Sequence, residues 1–176
     1  MNFKDIPQFT SDGNYRVDIC LRDLIYTMDR YQQKDDIDMN PDFQRGHVWD
    51  SEKQIAFVEF MLRGGKSARM IYLNHPNWMT SFEGRLTLVD GKQRLTAALK
   101  FMNNELQVFD GNYFKDFTGG MTFFVGFTFC INDLKTRAEV LQWYLDLNAG
   151  GVVHTNEEIE KVRNLLDKEK KKKQYE

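Results

Sequence analysis

The sequence has few cysteines, little net charge and no long apolar run, and each shortage removes a class of protein. Only two cysteines occur in 176 residues, Cys20 and Cys130. They lie far apart and outside any C-x-x-C pattern, which argues against a disulfide framework and a zinc knuckle, so both are expected to be reduced and buried. The formal net charge is −2 with a pI near 6.0. No global basic field draws the chain to DNA or an anionic membrane, and any nucleic-acid contact must come from a local patch. The longest apolar-rich run, MTFFVGFTFCI at 121–131, is far short of the roughly 20 residues that a spanning helix needs. The start, MNFKDIPQFT, has no apolar signal core, so a soluble, cytoplasmic protein without membrane partners is expected. Familiar catalytic templates are missing too. H-E-x-x-H, G-x-S-x-G and the P-loop do not occur, and His47, His75 and His154 make no convincing metal-finger nuclease arrangement.

What is present suits one ordinary domain. A hydrophobic fraction of 41% with 14% aromatics is enough for a core. Residues 1–167 are expected to form a single domain, and KEKKKKQYE at 168–176 a solvated, disordered tail.

Periodicity places the elements. Leu21, Leu24, Ile25 and Met28 follow i, i+3, i+4, i+7 spacing and predict a helix over about 20–32. Ile37 and Met39 before Pro41 predict a short strand that runs into a loop holding Gln44, Arg45, His47 and Trp49. Ser51 and Gln54 have capping-box spacing, and Ile55, Val58, Met61 and Leu62 extend a helix that Gly64-Gly65 ends. RMIYLN (69–74) and RLTLVD (85–90) read as paired strands. Leu95, Ala98, Leu99 and Met102 predict a helix after them, 121–131 a buried strand, 133–147 a helix, and Thr155 the start of the last.

Three segments carry candidate chemistry. The pentad Asp90-Gly91-Lys92-Gln93-Arg94 falls where a strand pattern stops and a helical one starts. Asp90 with Gln93 has the spacing of a helix cap. Lys92 and Arg94 beside a helix N-terminus also suit an anion, which Gly91 would let approach the backbone. The second segment is the loop Pro41 to Trp49, where Gln44-Arg45 repeats the Gln-Arg pair and Phe43 or Trp49 is an anchor or a base contact. In the third, Asn148 to Glu158, Thr155 and Glu158 have cap spacing, while Asn148 and His154 are either structural or able to contact a base or a water. Asp90 and Asp42 are the carboxylates that could hold a divalent metal on a phosphate.

Taken in this order and at these intervals, the segments P-x-F-Q-R-x-x-V-W (Pro41 to Trp49), V-D-G-K-Q-R-L (Val89 to Leu95) and N-x-G-G-x-x-H-T-x-x-E (Asn148 to Glu158) are far more specific than any one alone. By them the chain resembles the N-terminal domain of GmrSD-type modification-dependent restriction endonucleases, a family related to ParB and sulfiredoxin. The resemblance implies an α+β fold, a ParB/sulfiredoxin-like small mixed sheet flanked by about five helices. It implies that the Q-R loop and the D-G-x-Q-R helix start share a pocket. In relatives that pocket is associated with nucleoside triphosphate binding and metal-dependent hydrolysis, coupled to defence against modified phage DNA.

Carried over by position, the implied site has Asp90 and Arg94 as catalytic residues. Gln44, Arg45, Gly91, Lys92, Gln93 and Asn148 bind the nucleotide and its phosphates, Asp42 and His154 are secondary, and Asp90 is the ligand for Mg²⁺. The family's common D-G-Q-Q-R is D-G-K-Q-R here, so Lys92 adds charge where a neutral amide is usual. Defence relatives continue into a histidine-containing nuclease domain. The expected partners are therefore a nucleoside triphosphate, DNA, or a separate nuclease or defence-system protein. Three functions compete: a nucleotide-binding domain with Mg²⁺-dependent hydrolysis, a ParB-like DNA-binding protein or nuclease, and a non-enzymatic regulator or inhibitor of a defence system.

Overall fold

The computed structural model describes the chain except residues 1, 3, 4, 7, 8, 12, 14, 45, 47, 48, 121–123, 150–155 and 173–176. Its sheet is built on GFTFCIN, strand β4 (Gly126–Asn132), which is buried along almost its whole length. A strand covered on both faces needs no polar alternation, and this one has almost none. Strand β1 (Tyr15–Cys20) pairs antiparallel along one side of β4. Strand β2 (Met70–Asn74) pairs parallel along the other, and β3 (Thr87–Asp90) closes the sheet antiparallel to β2. The order is β1-β4-β2-β3, a mixed four-stranded sheet.

Helices α1 (Leu24–Asp35), α2 (Ser51–Leu62) and α3 (Lys92–Met102) share a core with one sheet face; α4 (Arg137–Asn148) and α5 (Asn156–Lys172) share a second core with the other. Side chains alternate along a strand. Thus Leu88 enters the first core and its neighbour Val89 the second, and Tyr72 packs against the second while Ile71 and Leu73 lie in the first. This is the α+β architecture expected, with a small mixed sheet and five helices among the described residues.

Several boundaries differ from expectation for local reasons. The alternating residues of YRVDIC form a strand that local periodicity does not predict, because its partner β4 lies more than a hundred residues away in sequence. The first helix begins at Leu24, after a 3-10 turn at Leu21–Asp23. The expected strand at Ile37 and Met39 reduces to a single bridge between Asp38 and Thr87. Helix α2 is capped by Asp50, which accepts from the Lys53 amide at 2.8 Å, and not by Ser51. The Gln54 side chain donates instead to the Trp49 carbonyl at 2.9 Å. Thr136 and Glu139 form a capping box that starts α4.

Helix α5 runs to Lys172, five residues beyond the expected domain limit at 167. Glu157 and Glu158 in its first turn and lysines in its last suit the helix dipole, and Lys172 pairs with Glu169 at 3.0 Å. Both cysteines are free, Cys130 buried and Cys20 only partly so. Among the described residues no helix is long and apolar enough to cross a membrane.

The β1–β4 pairing yields a test. A Cβ on Gly126 would stand 2.0 Å from the Ile19 carbonyl oxygen, which is backbone and has little room to retreat. Gly126→Ala is therefore expected to cost about 2–3 kcal/mol, read as a lower urea midpoint at unchanged slope. A midpoint equal to that of the parent would show that β1 does not pair here.

Candidate functional site

Strand β3 passes into α3 with one residue between them. Gly91 has φ 104°, and a Cβ there would lie 2.5 Å from Ile71 Cδ1, so both the dihedral and the close approach require glycine. This tight junction changes the expected cap. Gly91 itself stands at the N-cap, and no side chain caps α3. The Asp90 carboxylate turns to the helix one turn on, where Oδ2 accepts from Arg94 Nη2 at 2.6 Å. Arg94 Nη1 donates to the Ala68 carbonyl at 3.2 Å. With 18% of the Arg94 side chain and 33% of the Asp90 side chain exposed, this pair is partly screened from water and holds its geometry better than a surface pair.

The two glutamines of the Gln-Arg pairs bind backbone. Gln44 Nε2 donates to the carbonyls of Leu88 and Val89, at 2.6 and 2.7 Å. Gln93 Nε2 donates to the Gly46 carbonyl, and its Oε1 accepts from the Trp49 amide, both at 3.1 Å. One amide anchors the 41–49 loop to β3, and the other anchors it to α3. The resemblance assigns both to nucleotide binding; these hydrogen bonds also make them clamps on the loop.

Around this junction lies a cleft of about 260 Å³. Gln44, Asp90, Gly91, Lys92, Gln93, Arg94 and Asn148 all line it, so seven residues singled out in the sequence meet in one place. Trp49, Ala68 and Tyr144 complete the lining. Asn148 Nδ2 donates to the Tyr144 carbonyl at 2.6 Å, which leaves its side-chain oxygen as the acceptor end. Trp49 packs edge-on to Phe57, and Tyr144 edge-on to Phe43, at ring distances of 5.5 and 5.3 Å. Phe43 is buried in the second core, so it is the loop's anchor.

Two candidates, Arg45 and His154, lie outside the described residues. Asp42 is not part of the cleft. Its carboxylate takes Arg137 Nη2 at 2.8 Å on both oxygens, and its carbonyl accepts from Lys161 Nζ at 2.9 Å, which ties the loop to α4 and α5. The sequence offered no sign of Ala68 or Tyr144, because each reaches the cleft only through tertiary packing.

Burial lowers the Lys92 pKa below the ordinary lysine value of 10.5, and the negative charge of Asp38 offsets part of that effect. The charged lysine is thus more costly here than in water, and an arriving anion would relieve that cost. A metal has weaker support. Among the described residues no group of three His, Cys, Asp or Glu side chains is placed to hold one, and Asp90 has Oδ2 on Arg94. Asp90 is the one carboxylate of the lining, and Mg²⁺ is commonly held by one or two carboxylates together with substrate phosphates, not by an all-protein cage.

A family model described as the GmrSD restriction endonuclease N-terminal domain matches residues 25–175. The chain belongs to this family. The GmrSD model covers the β3–α3 junction, the clamped loop and α4, and so all of the cleft, and it relates the chain to restriction systems. No curated protein and no solved structure matches the chain.

Removing the Gln93 clamp separates loop tethering from helix formation. Gln93→Ala deletes both bonds to the loop and is expected to cost about 1–3 kcal/mol, with faster hydrogen exchange at the Trp49 amide and unchanged protection within α3 from Leu95 onward. Uniform loss of protection across α3 would contradict the clamp.

Proposed function

We propose that this GmrSD-type domain binds the phosphate chain of a nucleoside triphosphate in the cleft at the β3–α3 junction. The observation that carries the reading is the meeting of Lys92 and Arg94 in one cleft, around a helix start that no side chain caps. Backbone N–H groups at a helix N-terminus attract anions, and two cations beside them add charge-assisted bonds. Trp49 on the lining offers a ring for a base. Arg45, which lies outside the described residues, is a further phosphate-binding candidate by its motif alone.

In this reading Arg94 stabilises charge on the transferring phosphoryl group, and Asp90 fixes the guanidinium and orients the attacking water. Lys92 and Asn148 position the phosphates and the nucleoside, while Gln44 and Gln93 keep the loop in place. Mg²⁺ would arrive with the triphosphate and offset its charge, and Asp90 is the carboxylate of the lining that would hold it. A second reading is favoured by the Asp90–Arg94 bond: a carboxylate already held by an arginine suits binding without turnover, as in a nucleotide-responsive regulator of a separate nuclease.

A nucleotide panel measured for thermal shift and for phosphate release, with and without Mg²⁺, separates these. A triphosphate is expected to raise the Tm of the parent, and Lys92→Ala and Arg94→Ala are expected to weaken binding about tenfold or more. Asp90→Asn should retain binding and lose release. Stabilisation of the parent without release selects the regulator, and no stabilisation by any nucleotide defeats the proposal.

The Lys92 shift adds a pH signature. The unfolded chain holds this proton more tightly than the folded one, so stability of the ligand-free domain rises as pH is raised through the folded-state pKa toward 10.5. Phosphate favours the charged lysine, so affinity is full below that pKa and falls above it. Measured above about pH 8, where phosphate ionisation is complete, triphosphate affinity should decline in the parent and stay flat in Lys92→Arg. Parallel profiles in the two proteins would remove Lys92 from the site.

A further inference from the structure

Apart from the β3–α3 cleft, the molecule has a larger cavity of about 430 Å³, within the range of small-molecule sites. Its walls are the rings of Phe101, Phe109, Phe114 and Phe117, and Arg22 is the single charged residue of the lining. The rings meet edge-on, Phe101 with Phe114 at 5.6 Å and with Phe117 at 5.9 Å, and Phe109 with Phe117 at 6.3 Å. This arrangement is firmly supported from behind. Phe101 is fully buried on α3. Phe109 is held in the left-handed region at φ 47°, its amide donates to the Glu59 carboxylate at 2.7 Å, and Arg63 lies over its ring at 5.1 Å.

Two features distinguish this cavity from a gap in packing. Phe117 is 44% exposed, so an aromatic face that could have closed the core is left facing water. Arg22, on the 3-10 turn before α1, has no hydrogen-bond or ion-pair partner among the described residues. Most other arginines with described side chains carry a carboxylate, as Arg85, Arg94, Arg137 and Arg163 do. Ring walls with one unpartnered guanidinium at their edge are complementary to a molecule with an apolar body and one anionic end.

We propose that this cavity is a second binding site, for a small acyl or aryl carboxylate whose body lies among the four phenylalanines and whose anionic group pairs with Arg22. Burying the body removes the exposed face of Phe117 from water, and the carboxylate supplies the partner Arg22 lacks. This site is distinct from the β3–α3 cleft, with which it shares no lining residue.

The probes are 8-anilinonaphthalene-1-sulfonate and decanoate. Fluorescence of the sulfonate should saturate at one equivalent per chain and be reversed by decanoate. Arg22→Gln should weaken both anions about tenfold while leaving displacement by uncharged decanol unchanged. Thr118 is an exposed residue of the lining, so Thr118→Trp should fill the cavity without disturbing the core and abolish binding of both probes. Its Tm and far-UV spectrum, matching those of the parent, show that the fold is retained. The proposal is overturned by non-saturating fluorescence in the parent, by equal binding in a folded Thr118→Trp, or by an Arg22→Gln that binds anion and alcohol in the parent's ratio.

Discussion

Between the end of β3 and the first turn of α3, a carboxylate and a guanidinium meet at 2.6 Å, and the geometry around them follows from that contact. Asp90 is the last residue of a strand and Arg94 stands on the next turn of chain, so their bond fixes the angle at which the helix leaves the sheet. It is feasible only because Gly91 between them takes a left-handed conformation against Ile71. A bulkier residue would push the helix away from β2 and open the pair. The guanidinium then extends to the Ala68 carbonyl, which brings the loop before β2 to the same place. One ion pair thereby sets three walls of the cleft, and because it is partly shielded its loss would leave a charge in poor solvation.

The same pair decides the electrical character of the cleft. Its lining has two cations, Lys92 and Arg94, and one carboxylate, Asp90. With Asp90 and Arg94 facing each other, the second cation of the lining is Lys92, whose proton is held less firmly because the site is partly desolvated. Gln44 and Gln93 add no charge. They hold the loop through its backbone, and amides suit that task because each offers a donor and an acceptor that do not titrate.

The sequence made the junction visible because apolar spacing changes there from period two to period 3.6. Asp90 stands at cap spacing from Gln93, yet its carboxylate bonds elsewhere. Arg94, four residues on, was the stronger partner, and that spacing was also open to view. The glutamines were harder to place. A side-chain amide bonds whatever tertiary structure brings within reach, and the carbonyls of Leu88, Val89 and Gly46 are not identifiable as partners without the fold. Tyr144 illustrates the same limit, since it reaches the cleft on α4 from across the sheet. Motif order located the site; packing assigned the work within it.

Charge placement also bears on the size of the anion. Duplex DNA presents one phosphate charge per about 1.7 Å of axis and rewards a row of available cations. On this surface many arginines are already matched: Arg85 with Asp36 and Asp38, Arg137 with Asp42, Arg163 with Glu160, and Arg63 with Glu59 at the limit of contact. A long polyanion laid across them would meet those carboxylates as well and gain little from each arginine. The cleft sets two cations, Lys92 and Arg94, against one carboxylate within a volume of about 260 Å³. A compact polyanion could reach those two cations without crossing the paired arginines, whereas a long one would have to meet their carboxylates as well.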